Sequence, residues 1–241
     1  MELTDHEFKE IKEFRNMIQD QLKDWVTIPN YSSANYYKRF FDFQSEYNFP
    51  LRMFSLNYDR CLEENTPDDK ELERGFDPDS RTWDGRRFDA GYEHQPDVYL
   101  YKMHGSIDWM RDENKGHILM EVDKTPEKPD LIFGTNYKMQ YIDPYLFYTY
   151  EFRKYTLESK VILTVGYSFR DEHVNGILGQ ALKNEKTRRI IAISPSIVIP
   201  PQFNDIKDQI VSVKESAKDF LCTLSIERIN KLCDSKLGNT Q

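Results

Sequence analysis

Four short polar segments close strand-like apolar runs, and they hold most of the chemistry this chain can offer. Ser55-Leu56-Asn57-Tyr58-Asp59 sets an amide and a carboxylate two residues apart. Lys102-Met103-His104-Gly105-Ser106 follows the run Val98 to Tyr101 and presents an imidazole in a glycine turn. Gly166-Tyr167-Ser168-Phe169 follows another apolar run and leads into Asp171, His173 and Asn175. Ser194-Pro195-Ser196 is a weaker fourth. Ligands of open parallel sheets bind outside the carboxyl ends of the strands, so neighbouring parallel strands would bring these segments to one crevice. Each segment also has a plain structural reading. Asn57 or Asp59 can cap a helix, His104 can make one satisfied hydrogen bond in a turn, and Gly166 can simply end a strand. Singly, the structural reading is the better one.

The elements that must position these segments follow from periodicity. Apolar residues three and four apart predict a helix over 4–26, opened by a Thr4/Glu7 capping box. A second helix runs from Ser33 to Asn48. Strands are expected at Leu51–Leu56, Val98–Met103, His117–Val122, Asp130–Phe133, Lys160–Gly166, Arg189–Ile193 and Ile210–Val213. The strand Lys160–Gly166 is apolar enough for burial on both faces. Further helices are expected over Pro144–Leu157, Asp171–Glu185 and 214–234. Residues 65–97 are polar and too long for an ordinary connection, so they read as a functional loop or an insertion. Strands alternating with helices predict an α/β, three-layer, Rossmann-like domain with a mainly parallel sheet.

Composition removes several classes of function. The 241 residues carry 41 acids against 33 bases, a net charge of −8, which disfavours direct binding to nucleic acid or anionic membranes. With 15 Phe, 15 Tyr and 3 Trp the chain can fill a core, so wholesale disorder is excluded. Cys61, Cys222 and Cys233 form no CxxC pair, so no metal ribbon is expected, and the last two read as small core residues. The acidic start is unlike a signal peptide, and no run approaches the ~18 apolar residues of a membrane span. A cytoplasmic location is expected.

Taken together and in this order, the segments resemble the sirtuin-like NAD-binding family, in particular its bacterial anti-phage defence branch. The resemblance covers roughly residues 50–222. Asn57-Tyr58-Asp59 is similar to the family's Asn-x-Asp segment beside the nicotinamide ribose. His104-Gly105-Ser106-Ile107-Asp108-Trp109 is similar to its His-Gly-Ser segment with the defence-branch extension. Gly166-Tyr167-Ser168-Phe169 resembles the turn facing the cofactor phosphates and ribose, and Ser194 the adenine-ribose position. The resemblance implies Asn57 and His104 as catalytic residues, and Asp59, Gly105, Gly166, Ser168, Phe169 and Ser194 as NAD contacts. It implies a helical segment over 1–50, an NAD-binding domain over 51–222, and a helix end and tail over 223–241. Zinc-binding CxxC pairs are lacking, which disfavours protein deacylation and any metal. The family's glycine-rich loop is lacking too, for the first glycine is Gly75, so the fold is expected to be incomplete at its N-terminus.

The implied reaction is hydrolysis of NAD, as substrate, to nicotinamide and ADP-ribose through an oxocarbenium-like state. Asn57 would fix the ribose and the attacking water. His104, of a residue type titrating near ~6.5, would accept a proton. Asp59 would orient the site or cap a turn, and Asp108 would be structural. The implied partners are NAD and either a second copy or a fused or associated defence protein. The rival reading is a catalytically silent module that binds nucleotide or a partner protein.

Overall fold

The structure is a computed structural model that describes residues 5–89, 95–112, 118–132 and 142–234. Helix α1 (Asp5–Val26) is followed by a 3-10 helix, Tyr31–Lys38, that runs directly into α2 (Arg39–Tyr47). Asn30 opens the 3-10 helix by accepting from the Ser32 N–H, and Asn48, in the left-handed region, closes α2. The expected second helix is therefore present with a tighter first half. The Thr4 capping box lies outside the described residues.

Two three-stranded parallel sheets form the frame. In the first, β3 (Val98–Lys102) lies between β1 (Leu51–Ser55) and the short β2 (Leu72–Glu73), with Leu51 opposite Val98 and Ser55 opposite Lys102. In the second, β7 (Arg189–Ile193) lies between β6 (Val161–Val165) and β8 (Ile210–Val213). An antiparallel hairpin, β4 (Trp109–Asp112) with β5 (Ile118–Glu121), packs beside the first sheet. Helix α3 (Tyr145–Glu158) precedes β6, and α4 (Glu172–Asn184) follows it. Helices α5 (Ala217–Cys222) and α6 (Ile226–Asp234) end the described chain.

Alternation along the strands makes the layers. On β3, Tyr99 and Tyr101 enter an aromatic core with Phe88, Trp109 and Tyr148, while Val98 and Leu100 pack on Phe41 and Leu62. On β7, Ile190 and Ala192 face Leu178 and Phe203, while Ile191 and Ile193 face Phe220 and Ile229. Side chains of one strand thus serve two helical layers, as the period of two requires. Phe54 of β1 joins the two cores, stacked on Tyr101 at 4.4 Å and edge-on to Phe152 at 5.1 Å.

Several expectations are corrected. Residues 65–97, expected as a functional loop or an insertion, supply β2 in their described part, and their Phe76, Trp83 and Phe88 pack into the aromatic core. Asp130–Phe133 is not a strand in its described part, since only Leu131 pairs, in an isolated bridge to Gly105. Helix 214–234 breaks at Thr223, where Arg228 folds α6 back by pairing with Glu215 at 2.7 and 2.9 Å and lying over the Phe220 ring. Cys222 is exposed, not core. Strand β4 was not anticipated, because Trp-Met-Arg-Asp shows no apolar alternation.

Strand β6 is half-buried at every position, and so is β1, because each is the outer strand of its sheet. Both line one cavity of about 1270 Å³. Helix α1 also leaves Ile11, Phe14, Met17 and Trp25 exposed, the last at 73%. Open strand edges and apolar stripes template association. The protein is therefore expected to elute as dimers or larger species in light-scattering chromatography. A monodisperse particle at the chain mass of 28.8 kDa would contradict this.

Candidate functional site

The cavity runs along the whole of β1 and β6, and one end of it is lined by the segments at the carboxyl ends of β1, β3 and β6. Beyond β1, the Asn57 N–H donates to Ser55 Oγ at 3.2 Å, leaving the Asn57 side chain exposed at the mouth. Asp59 Oδ1 accepts from the Cys61 N–H at 2.9 Å, the hydrogen bond of an Asx turn. Tyr58 donates its hydroxyl to the Ile132 carbonyl at 2.5 Å and so ties this turn to the segment behind His104. Lys102, buried at the end of β3, donates to the Asp59 carbonyl and faces Glu63 at 3.6 Å. A buried ammonium needs such partners, and here they pin the Asn57–Asp59 turn to the strand that leads into His104.

His104 lies in the turn just beyond that strand, its side chain 18% exposed, with Nε2 3.6 Å from Asp171 Oδ2. Gly105 bends the chain directly after it, at φ +87°, a region costly for any residue with a Cβ. Three residues on, Asp108 is buried and receives Arg74 Nη2 on both oxygens at 3.0 and 2.9 Å. Burial pushes the Asp108 carboxyl up, but the Arg74 guanidinium, the Ser106 hydroxyl and the Arg60 charge together outweigh it and hold the group below the ordinary carboxylate range. Arg74 also meets Glu63 and Glu121, so one buried cation fixes the start of the hairpin. Asp108 is structural, as its place in the sequence suggested.

The β6 exit is held from within. Gly166 takes φ +69° and donates its N–H to the Ile193 carbonyl at 2.9 Å. Phe169 is also left-handed, at φ +55°, which costs a non-glycine residue ~1–2 kcal/mol. Its carbonyl accepts from Asn175 Nδ2 at 2.8 Å, and its ring packs on Tyr167 and Phe203. Asp171 caps α4, with Oδ1 accepting from the His173 and Val174 N–H groups at 3.0 and 3.3 Å.

Asn57, Asp59, His104, Gly166 and Ser168 therefore line one cavity, together with Lys102, Tyr167, Arg170 and Asp171. Gly105, Phe169 and Ser194 are not among its lining residues. Gly105 is buried in a backbone crossing, Phe169 points into the core, and Ser194 lies where its N–H joins Val213 at 3.1 Å. Lys102, Arg170 and Asp171 were not among the implied catalytic residues or NAD contacts, although Lys102 and Asp171 stood in or beside the polar segments that follow the strands. Burial, with Asp59 beside it, pushes the Cys61 thiol up to about 12, which leaves no thiolate for chemistry at neutral pH. Among the described residues, no group of three or more His, Cys, Asp or Glu could hold a metal ion, and no helix is long and apolar enough to cross a membrane.

The family model for the SIR2-like domain matches residues 52–216, well over half of the chain and spanning all of these strand ends. Two solved structures, both mutants of a Sir2 homologue in complex with ADP-ribose, are similar to it at 13% identity. The similarity covers 86% of this chain and 69% of theirs, with TM-scores of 0.48 and 0.47. No curated protein matches.

Proposed function

The chain belongs to the SIR2-like domain family, and from that premise we propose that it hydrolyses NAD to nicotinamide and ADP-ribose. One observation carries the proposal: Asn57, His104 and the Gly166–Ser168 turn, each at the end of a different strand, line a single cavity. NAD is the substrate, with its nicotinamide ribose between Asn57 and His104. Breaking the bond between C1′ and the pyridinium nitrogen releases neutral nicotinamide, and positive charge develops on the ribose as in glycoside cleavage. Asn57 orients the ribose and the water without adding charge. Water adds to C1′, and His104 accepts its proton. The NAD-binding unit of this proposal is residues 51–222, with Asp59, Ser168 and Gly166 as contacts. Gly105 and Phe169 serve it by shaping the backbone of the wall, and Ser194 is kept as the weaker adenine-side contact.

The Ile107-Asp108-Trp109 extension supports a place in a bacterial anti-phage defence system, acting in the cytoplasm with a second copy or an associated defence protein. A silent nucleotide-binding or interaction module is the second reading. It is favoured by Asp171, whose carboxylate takes the N-terminus of α4, a position where helices commonly receive phosphate. Product analysis separates the two. Purified protein incubated with NAD should release nicotinamide and ADP-ribose in equal amounts. NAD recovered intact at a folded protein would support the silent module.

A further inference from the structure

We propose that Asp171 is a positioning residue for His104, holding its imidazole with Nε2 protonated and leaving Nδ1 as the basic nitrogen. The inference deepens the reading of this site as an NAD hydrolase and rests on it for its kinetic consequence alone.

The two oxygens of Asp171 have separate tasks. Oδ1 is committed to the first turn of α4 through the His173 and Val174 N–H groups. Oδ2 stands 3.6 Å from His104 Nε2. That is longer than a hydrogen bond, but the carboxylate's charge favours a proton on the ring nitrogen that faces it, which selects the tautomer.

The carboxylate is itself held rigidly. Its backbone carbonyl accepts from the Asn175 N–H at 2.9 Å and lies 3.1 Å from the Tyr167 hydroxyl. That hydroxyl is also 2.9 Å from Asn175 Oδ1, and Asn175 in turn holds the Phe169 carbonyl. Burial, with the Asp171 charge beside it, pushes Tyr167 above the ordinary phenol range, so it remains a donor. These contacts hold the left-handed turn at Phe169 in the conformation that sets Asp171 beside His104.

Of the other charged or titratable groups near His104, Tyr58, Lys102 and Asp59 have their own partners. Tyr58, 6.5 Å away ring to ring, is bonded to the Ile132 carbonyl. Lys102 is taken by the Asp59 carbonyl and Glu63. Asp59 and Arg170 line the same cavity, Asp59 with Oδ1 on the Cys61 N–H. Of these, Asp171 is the group that meets the imidazole in an ion-pair geometry.

Asp171→Asn tests this, because Asn caps a helix as well as Asp does while its NH₂ can face His104 as a donor. The variant should keep the wild-type melting temperature. Magic-angle-spinning NMR of histidine-¹⁵N-labelled protein should show the His104 proton moved from Nε2 to Nδ1; only five histidines are present, and His104→Gln assigns the signal. The kcat for NAD cleavage should fall by ~10²-fold or more with KM little changed, the pattern of a wrong tautomer. An unchanged His104 tautomer, or an unchanged kcat in an active protein, overturns the proposal. Should the wild-type protein leave NAD intact, the hydrolase reading fails, and the NMR comparison alone decides whether Asp171 positions His104.

Discussion

Gly105→Ala is expected to lower the melting temperature by about 10 °C. A Cβ built on Gly105 falls on the Asp130 carbonyl oxygen and reaches within 2.9 Å of the Tyr145 hydroxyl. Asp130 cannot yield cheaply, since its N–H is bonded to Trp109 at 2.8 Å and its carboxylate to Tyr145 at 2.7 Å. The left-handed φ of +87° adds ~1–2 kcal/mol for any residue with a side chain. Overpacking of a filled site adds ~1–3 kcal/mol. Together these reach ~3 kcal/mol, and at ~2–4 °C per kcal/mol for a domain of this size the melt moves by about 10 °C. Gly176→Ala is the control: it lies within α4 with nothing within 4 Å of the added Cβ, and it should be neutral or slightly stabilising. Circular dichroism melts of the two variants check this. A Gly105→Ala melt within ~2 °C of wild type would show that the turn after His104 can relax.

Asn57→Ala and Asn57→Asp should each lower NAD turnover by ~10²-fold or more while the protein stays folded. Misplacing a reacting group by about an ångström costs that much, and Asn57 is exposed at a strand end, so little packing is lost. The Asp variant is the more telling one. It keeps the size of the side chain, removes the amide donor and sets a charge beside a ribose that is itself becoming positive. Were charge stabilisation all that position 57 supplied, Asn57→Asp would match or exceed wild type. Cys222→Ser, on the exposed end of α5, should leave both turnover and stability alone. Steady-state nicotinamide release from the four proteins reads the turnover, and their circular dichroism melts read the stability.

What the sequence revealed depended on how locally each feature is encoded. β3 and β7 were legible because unbroken apolar runs such as Arg189–Ile193 suit a central strand buried on both faces. The same argument misjudged β6, whose residues are as apolar but whose place at the sheet margin no single segment can announce. β4 was invisible because Trp109 alone enters the core while Met110, Arg111 and Asp112 stay half-buried. The break between α5 and α6 depends on Arg228 reaching Glu215, a contact outside any helical repeat. The site divides the same way. Asn57 and His104 were readable as polar residues, and Gly166 as a glycine, just beyond strand ends. Phe169 and Gly105 do not line the cavity, because their left-handed backbone angles, which residue type does not announce, set the course of the chain there. The meeting of His104 with Asp171 required two strands from different sheets to end side by side, which periodicity does not contain.

The central claim is that this cavity cleaves NAD with His104 as the proton acceptor. The most direct measurement compares nicotinamide release from NAD by wild-type protein and by His104→Ala, both shown by circular dichroism to be folded. The account predicts steady release by the wild type and a fall of ~10²–10⁴-fold in the variant, the usual loss when a positioned general base is removed. Wild-type-like cleavage by folded His104→Ala would contradict it.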